Sequence, residues 1–324
     1  MKDKILHILR AENGFVSGEQ ISNRLHVSRA AVWKNVNKLR QMGYEIESVT
    51  NKGYKLMSSP DILTAEEIKN GLDTKLIGQN VCYYTEVDST NNAAKRENAM
   101  PDGSLFIAEI QTGGRGRRGN TWVSPKGSGI WMSLLLKPDI SPENISEVTL
   151  IAGLAVCRGV NTILPDTMRS KIKWPNDVVM NGKKICGILT ELSAEIDAVN
   201  YIVTGIGINV NTPCFGGTLS QKATSLLIET GKTQKRTPLV QAVLQEFEIL
   251  YTAYLRDGFS AIAAEYKENC VTLGKTVKIT KGTDSFTAQA LDVGANGQLI
   301  VEKDGNKIIV NSGEVSVRGI YGYI

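Results

Sequence analysis

Histidine is nearly missing from this sequence. Of 324 residues only His7 and His26 are histidine, and both stand close to the amino terminus. Chemistry in the rest of the chain must therefore run without an imidazole base, which removes the Ser-His-Asp and Cys-His plans there. Cysteine is sparse too: Cys82, Cys157, Cys186, Cys214 and Cys270 stand singly, in odd number and with no CxxC pair. That argues against a disulfide framework or a zinc site and for reduced packing residues. No run of about 18 uncharged apolar residues occurs, and "MKDKILHILRAENG" at the start carries charges inside its apolar run with no small-residue cleavage site. A soluble, cytoplasmic protein with no membrane partner is expected. Repeats and low-complexity tracts are also missing, and 42% hydrophobic with 22% charged content suits a globular chain long enough for two or three domains.

What charge there is lies unevenly. Residues 1 to 60 hold ten Lys/Arg against five Asp/Glu, leaving the remainder at 27 against 28. A basic module ahead of a near-neutral body suggests nucleic-acid contacts at one end. Within it, Ile5, Leu6, Ile8 and Leu9 predict a short amphipathic helix, and Ser17 with Gln20 makes a capping box for a second. In "RAAVWKNVNKLRQMG", Val32, Val36 and Leu39 share one face, Ala30, Lys34, Asn37 and Gln41 the other, and Gly43 ends the helix. "YEIESV", "TNKG" and "YKL" then read as a hairpin. The sum is a winged helix-turn-helix over residues 1–60. Ser28, Arg29, Ala30, Trp33, Lys34 and Asn37 are its expected DNA-facing residues, with Lys52 at the wing tip. A protein-interaction module of the same shape is the alternative.

Pro60, then Thr64 with Glu67 as a second capping box, place a boundary at about residues 60 to 65. From about residue 80, the strand-like runs "VCYYTEV", "SLFIAEIQ", "GIWMSLLLK", "KIKWPNDVVM", "KKICGILTEL" and "YIVTGIGINV" alternate with helices near 90–98, 142–163 and 235–256. An α+β chain with a central mixed sheet over 65–270 is expected. Short strands split by Gly, Asp and Asn turns fill 271–324 and read as a small SH3-like β-barrel.

Four pieces of the body stand out. "DSTN" (88–91) sits at a strand-to-helix junction, where it could meet a polar ligand or simply cap the helix. "QTGGRGRRGNTW" (111–122) offers arginine forks among glycines, suited to an anion or to a nucleic-acid backbone. "KWPND" (173–177) uses Pro175 to fix a turn, leaving Asn176 and Asp177 at its exit, where Asp177 could also be an Asx-turn acceptor. "KKICGILTE" (183–191) puts Lys184 just before a strand, with Ile185, Ile188 and Leu192 expected inward, although a lysine there could simply protect an edge. Together these suit a nucleotide-sized anion with an apolar part, and activation of a carboxylate by ATP needs no histidine.

"GRGRRG", "KWPND", "KICGILTE" and "GIGIN", in this order and spacing, resemble the biotin-protein ligases. With a winged helix in front and a β module behind, the resemblance is to the bacterial bifunctional form that doubles as biotin-operon repressor, and it covers essentially the whole chain. It implies a central domain like that of the class II synthetases and a two-step reaction. Biotin and MgATP give biotinyl-5'-adenylate and pyrophosphate, and a lysine of the biotin carboxyl carrier protein of acetyl-CoA carboxylase then takes the biotin, releasing AMP. By resemblance, Ser89, Thr90, Asn91, Gln111, Gly187, Gly205 and Gly207 line the biotin site, the two strand glycines letting the backbone approach the ligand. Arg115, Gly116 and Arg117 belong to a loop that folds over it. Lys184, Arg115 and Arg117 are the catalytic set. Arg118, Trp122 as adenine-stacking residue, Asn176, Asp177 and Asn209 face the nucleotide, with Asp177 a candidate Mg2+ contact. The adenylate is also implied as corepressor, favouring a homodimer on operator DNA. A DNA-binding biotin sensor with weak or no ligase activity, or a lipoate-protein ligase-like acyltransferase, are the competing implications.

Overall fold

Apolar spacing decides how the amino-terminal residues close on themselves. In the computed structural model, which describes residues 1–194, 199–313, 315–319 and 323–324, helix α1 (Lys2–Ala11) buries Ile5, Leu6, Ile8 and Leu9. The Ser17–Gln20 capping box opens α2 (Gly18–Leu25), and His26, left-handed at φ 52°, turns the chain toward α3 (Arg29–Gln41). Helix α3 buries Val32, Val36 and Leu39, the i, i+4, i+7 stripe expected of an amphipathic helix. Gly43, at φ 96°, follows its end. Strands β1 (Glu45–Val49) and β2 (Gly53–Ser58) pair antiparallel behind it. These elements share a core of their own, and the contacts divide the chain into Met1–Ile62 and Leu63–Ile324.

The second unit opens with α4 (Ala65–Lys69), capped by Thr64. It is built on a mixed seven-stranded sheet in the order β3-β4-β5-β9-β8-β7-β6. Its strands are β3 (Val81–Tyr84), β4 (Ser104–Ala108), β5 (Gly129–Leu136), β6 (Lys171–Lys173), β7 (Asp177–Met180), β8 (Lys183–Ala194) and β9 (Val199–Asn209). Only β3 and β4 run parallel. Period-two alternation sends Leu105, Ile107 and Leu134 into the main core, and Phe106, Leu135 and Val203 into a second cluster under α5 (Thr90–Arg96). Helix α6 (Ile145–Asn161) is apolar nearly all round, as a helix covered on every side must be. It lies between the sheet and α8 (Arg236–Asp257), which follows the short α7 (Leu226–Thr230). Gly159 makes the crossing possible, because a Cβ there would stand 2.8 Å from Val243 Cγ2.

After α9 (Ser260–Asn269) come β10 (Thr276–Lys281), β11 (Asp284–Val293), β12 (Leu299–Lys303), β13 (Asn306–Val310) and β14 (Val315–Gly319). They form one antiparallel sheet in the order β13-β12-β11-β10-β14. This module does not stand apart. Val277, Ile279, Ala290 and Val301 join the main core, and Trp174 Nε1 donates to Gly297 O at 3.0 Å. Apolar residues on both sides of residue 271 make one continuous interior. Three local expectations need correcting. Lys184 lies inside β8 rather than ahead of it. Leu192 is 38% exposed, not inward, because burial falls away along the last third of β8. Cys157, Cys186 and Cys270 are buried thiols and Cys82 packs half-buried against the cluster under α5, but Cys214 is exposed and is not a packing residue. No helix among the described residues is long and apolar enough to cross a membrane.

Candidate functional site

A cavity of about 460 Å³ opens over the β5-β9-β8-β7 part of the sheet, within the size range of small-molecule sites. Its lining brings together Ser89, Thr90, Asn91, Gln111, Arg115, Gly116, Arg117, Arg118, Trp122, Asn176, Asp177, Lys184, Gly187, Gly205, Gly207 and Asn209. Every central-domain residue singled out from the sequence therefore reaches one place. To these the fold adds Val317, Arg318 and Tyr323 from the carboxy-terminal module.

One end is a neutral polar cluster. Ser89 is the residue before α5 but its side chain makes no cap; it lies buried in the lining instead. Gln111 Oε1 accepts from Thr90 N at 2.9 Å and from its hydroxyl at 3.1 Å, while Gln111 Nε2 donates to Ser124 Oγ at 2.9 Å. Ser133 Oγ sits 2.6 Å from Asn91 Oδ1 and 2.7 Å from Thr90 Oγ1. Asn91 Nδ2 in turn donates to Glu191 at 2.7 Å. Side chains tied this way are pre-oriented, which lowers the ordering cost of binding a polar ligand. Ser133 escaped the sequence reading, yet it is the lone hydroxyl in the fully buried run "GIWMSLLL", a mark that was available.

The glycine-arginine segment folds as a closed loop. Arg115 pairs across it with Thr121, and Trp122 N donates to Gly114 O. Arg118 is left-handed at φ 58° and donates to Thr280 O. Arg117 donates to Asn176 Oδ1 at 2.9 Å and to the carbonyls of Ser312 and Val315, tying the loop to the carboxy-terminal module. Burial lowers the pKa of this guanidinium against the pull of Asp177. Arg115 reaches Asn92 Oδ1 and stands 3.8 Å from Glu191. Glu191 also pairs with Lys95 at 2.6 Å. Burial opposes its charge, but Lys95 and Asn91 hold its pKa below the usual carboxylate range.

Trp122 lies flat on the sheet where two strands carry glycine. A Cβ on Gly207 would stand 2.6 Å from Trp122 Nε1, and one on Gly187 2.9 Å from its Cζ3. A Cβ on Gly205 would meet Asn91 Oδ1. The missing side chains of Gly205 and Gly207 thus make room for Asn91 and Trp122, while both glycines stay in the cavity lining. Asn209 is buried, donating to Thr224 O at 3.2 Å.

The other end is charged. Asp177 Oδ1 is 2.7 Å from Lys184 Nζ, so Asp177 serves neither as an Asx-turn acceptor nor Lys184 as a solvated edge residue. Lys184 Nζ also stands 5.5 Å from the centre of the Trp122 ring. Asp177 Oδ2 is 3.7 Å from Lys173 Nζ and accepts from the Tyr323 hydroxyl. Burial alone would raise the pKa of Asp177, but Lys184 and then Lys173 hold it below its ordinary value. Burial depresses Lys173 in spite of Asp177. Lys173 is the first residue of "KWPND", where local spacing does not mark it as part of a site. Asp177 is the sole carboxylate among the described lining residues, and no group of three metal-ligating side chains occurs among the described residues. With two ammonium groups on that carboxylate, the donor set does not suit a resident metal.

In the amino-terminal unit, Trp33 is 59% exposed and Ala30, Lys34 and Lys52 are exposed. Ser28 is occupied as the α3 cap, accepting from Ala31 N at 3.2 Å. Arg29 pairs with Glu19 at 2.6 Å, and Asn37 is half-buried beside Arg40.

Comparison with known proteins places these features. The Biotin/lipoate A/B protein ligase family model matches residues 83–209, an HTH domain model residues 2–55 and the Biotin protein ligase C terminal domain model residues 272–318. The Bacillus subtilis (strain 168) bifunctional ligase/repressor BirA is 39% identical over 305 residues, 93% of each chain. Its Escherichia coli (strain K12) counterpart is 29% identical, covering 98% of this chain and 99% of that one. Among solved structures, the biotin protein ligase from Aquifex aeolicus in complex with biotin and ATP superposes with a TM-score of 0.67 at 30% identity, covering 74% of this chain and 99% of that one.

Proposed function

The chain belongs to the biotin protein ligase family, and on that footing we propose how its residues divide the work of a bifunctional ligase and repressor. It is a biotin-[acetyl-CoA-carboxylase] ligase that uses ATP, and its helix-turn-helix makes it a DNA-binding repressor with biotinyl-5'-adenylate as corepressor. A biotin carboxylate oxygen attacks the α-phosphate, pyrophosphate leaves, and the amine of a carrier lysine then displaces AMP from the mixed anhydride. The observation that carries this reading is the meeting, in one cavity, of the neutral Thr90–Asn91–Gln111 cluster with the Lys184–Asp177 pair under a single arginine loop.

In this assignment Ser89, Thr90, Asn91 and Gln111 hold the ureido ring. Lys184 offsets the charge that develops on the α-phosphate and carboxylate. Arg115, Gly116 and Arg117 close over the anhydride and keep water from it. Trp122 stacks on adenine, its buried Nε1 having no hydrogen-bond partner among the described residues. Arg118, Asn176 and Asn209 complete the nucleotide side. Mg2+ would come with ATP rather than as a resident ion, and Asp177 is the residue that would contact it. The central sheet follows the class II synthetase plan, and the carboxy-terminal sheet curls as an SH3-like barrel. Adenylate binding favours a cytoplasmic homodimer that sets two α3 helices on one operator, Trp33, Lys34 and Lys52 being the contacts left most accessible.

Pyrophosphate release by the purified chain with MgATP and either biotin or lipoate, followed by apo carrier domain, tests the whole assignment. Biotin-dependent release with transfer to one carrier lysine is expected. Release with lipoate alone would move the chain to the lipoate branch, and tight biotin binding without release would leave a sensor-repressor.

A further inference from the structure

The last described residues of the chain lie against the charged end of the cavity. Tyr323 donates its hydroxyl to Asp177 Oδ2 from 146 positions away, and its ring centre stands 4.5 Å from Lys173 Nζ. Lys173 is itself fixed: it is 6% exposed and donates to Val317 O at 2.9 Å. Two ammonium groups therefore compete for one carboxylate. Lys184 Nζ stands 2.7 Å from Oδ1 as its ion-pair partner, whereas Lys173 stands 3.7 Å from Oδ2. What fills the gap on the Lys173 side is the phenol.

We propose that Tyr323 is a positioning residue for the adenylation step, one that ties Asp177 Oδ2 so that Oδ1 stays turned toward Lys184. A carboxylate pivots about one bond, so fixing one oxygen fixes the other. Without the hydroxyl, Oδ2 would be buried short of a close donor, and the carboxylate would swing toward Lys173 to recover one. Lys184 would then lose the carboxylate oxygen that stands 2.7 Å from its ammonium. The carboxy-terminal module thus takes part in the chemistry through a side chain beyond its last strand. This proposal rests on the ligase reading above. The same contact helps keep Asp177 ionised, since Tyr323 lies on the side that lowers its pKa, after Lys184 and Lys173.

Tyr323→Phe in the full chain is the test, because it leaves the ring over Lys173 and removes only the hydroxyl. The expected result is a fall of about tenfold in kcat for biotin-dependent pyrophosphate release, with KM for biotin unchanged. ATP affinity, titrated by calorimetry without biotin, should fall in the native background and be unaffected by the same change in an Asp177→Asn background. A wild-type kcat and ATP affinity in Tyr323→Phe would overturn the proposal, as would an equal loss in both backgrounds. A faster Tyr323→Phe would overturn it too, making the tail a plug rather than a brace. Should the unaltered chain release no pyrophosphate with biotin, the ligase reading fails, and the two ATP titrations decide the role of Tyr323 alone.

Discussion

Gly205 and Asn91 share one space: a Cβ on Gly205 would stand 2.2 Å from Asn91 Oδ1. Asn91 holds that position through Ser133, the Leu189 carbonyl and Glu191. Gly205→Ala should therefore push the amide out of the polar cluster rather than distort β9, whose ladder with β5 and β8 is continuous here. Biotin affinity measured by calorimetry should drop at least about tenfold, with a stability loss of about 1–3 kcal/mol from overpacking. An unchanged Kd would remove Asn91 from the biotin site.

Lys184→Ala should abolish adenylation while the fold persists. Asp177 keeps Lys173 and Tyr323 when Lys184 is gone, so the buried carboxylate is not left without partners. Loss of one electrostatic stabiliser is worth roughly a hundredfold or more in kcat. Pyrophosphate release read beside a melting curve separates the two effects. Full release by this variant would withdraw the catalytic role.

Arg117→Gly removes the bonds that pin the loop to Asn176, Ser312 and Val315. The loop should then open more often, so biotinyl-adenylate escapes and labels bystander proteins at their lysines. Streptavidin blots of a mixture of unrelated proteins incubated with the variant, biotin and ATP would display it. Labelling confined to the carrier would show that other contacts close the site.

How much of this was legible beforehand depends on sequence distance. The Ser17–Gln20 box, the Val32-Val36-Leu39 stripe and the run of strands were readable because each is set within a few residues. The cavity residues were found through motif order, and the fold does gather them. Pairings such as Lys173 with Val317 or Arg115 with Glu191 were not readable, because local periodicity says nothing of partners so far apart. The shared core of the central and carboxy-terminal strands was hidden for the same reason, since each strand's alternation is satisfied by any apolar neighbour.

Glu109 and Arg236 form the most enclosed ion pair seen among the described residues, at 2.8 Å with side chains 3% and 2% exposed. Glu109 also accepts from Leu63 N at 3.0 Å, where the second unit begins, and Arg236 reaches Gly129 O. Glu109→Ala removes one carboxylate from this buried guanidinium's set of partners, so a loss of about 3–5 kcal/mol is expected. Calorimetry should show the melting transition of the second unit fall while that of the first stays put. A shift no larger than that of the exposed Arg256→Ala would mean the pair is not a keystone.

Trp33 is an indole 59% exposed on α3, one residue from Lys34, while Val32 and Val36 beside it are fully buried. A large apolar ring turned outward on a basic helix face contributes nothing to the core behind it, so its removal should leave stability unchanged within about 0.5 kcal/mol. Operator affinity at fixed salt should nonetheless fall about tenfold in Trp33→Ala, as for loss of one good contact in the groove. Lys52→Ala at the wing tip should act differently. A phosphate contact lowers binding to all sequences alike and flattens the salt dependence by roughly one ion. Measuring both variants against operator and unrelated DNA across a salt series separates base reading from backbone attraction. If neither variant changes either slope or ratio, the helix-turn-helix face is not where this protein meets DNA.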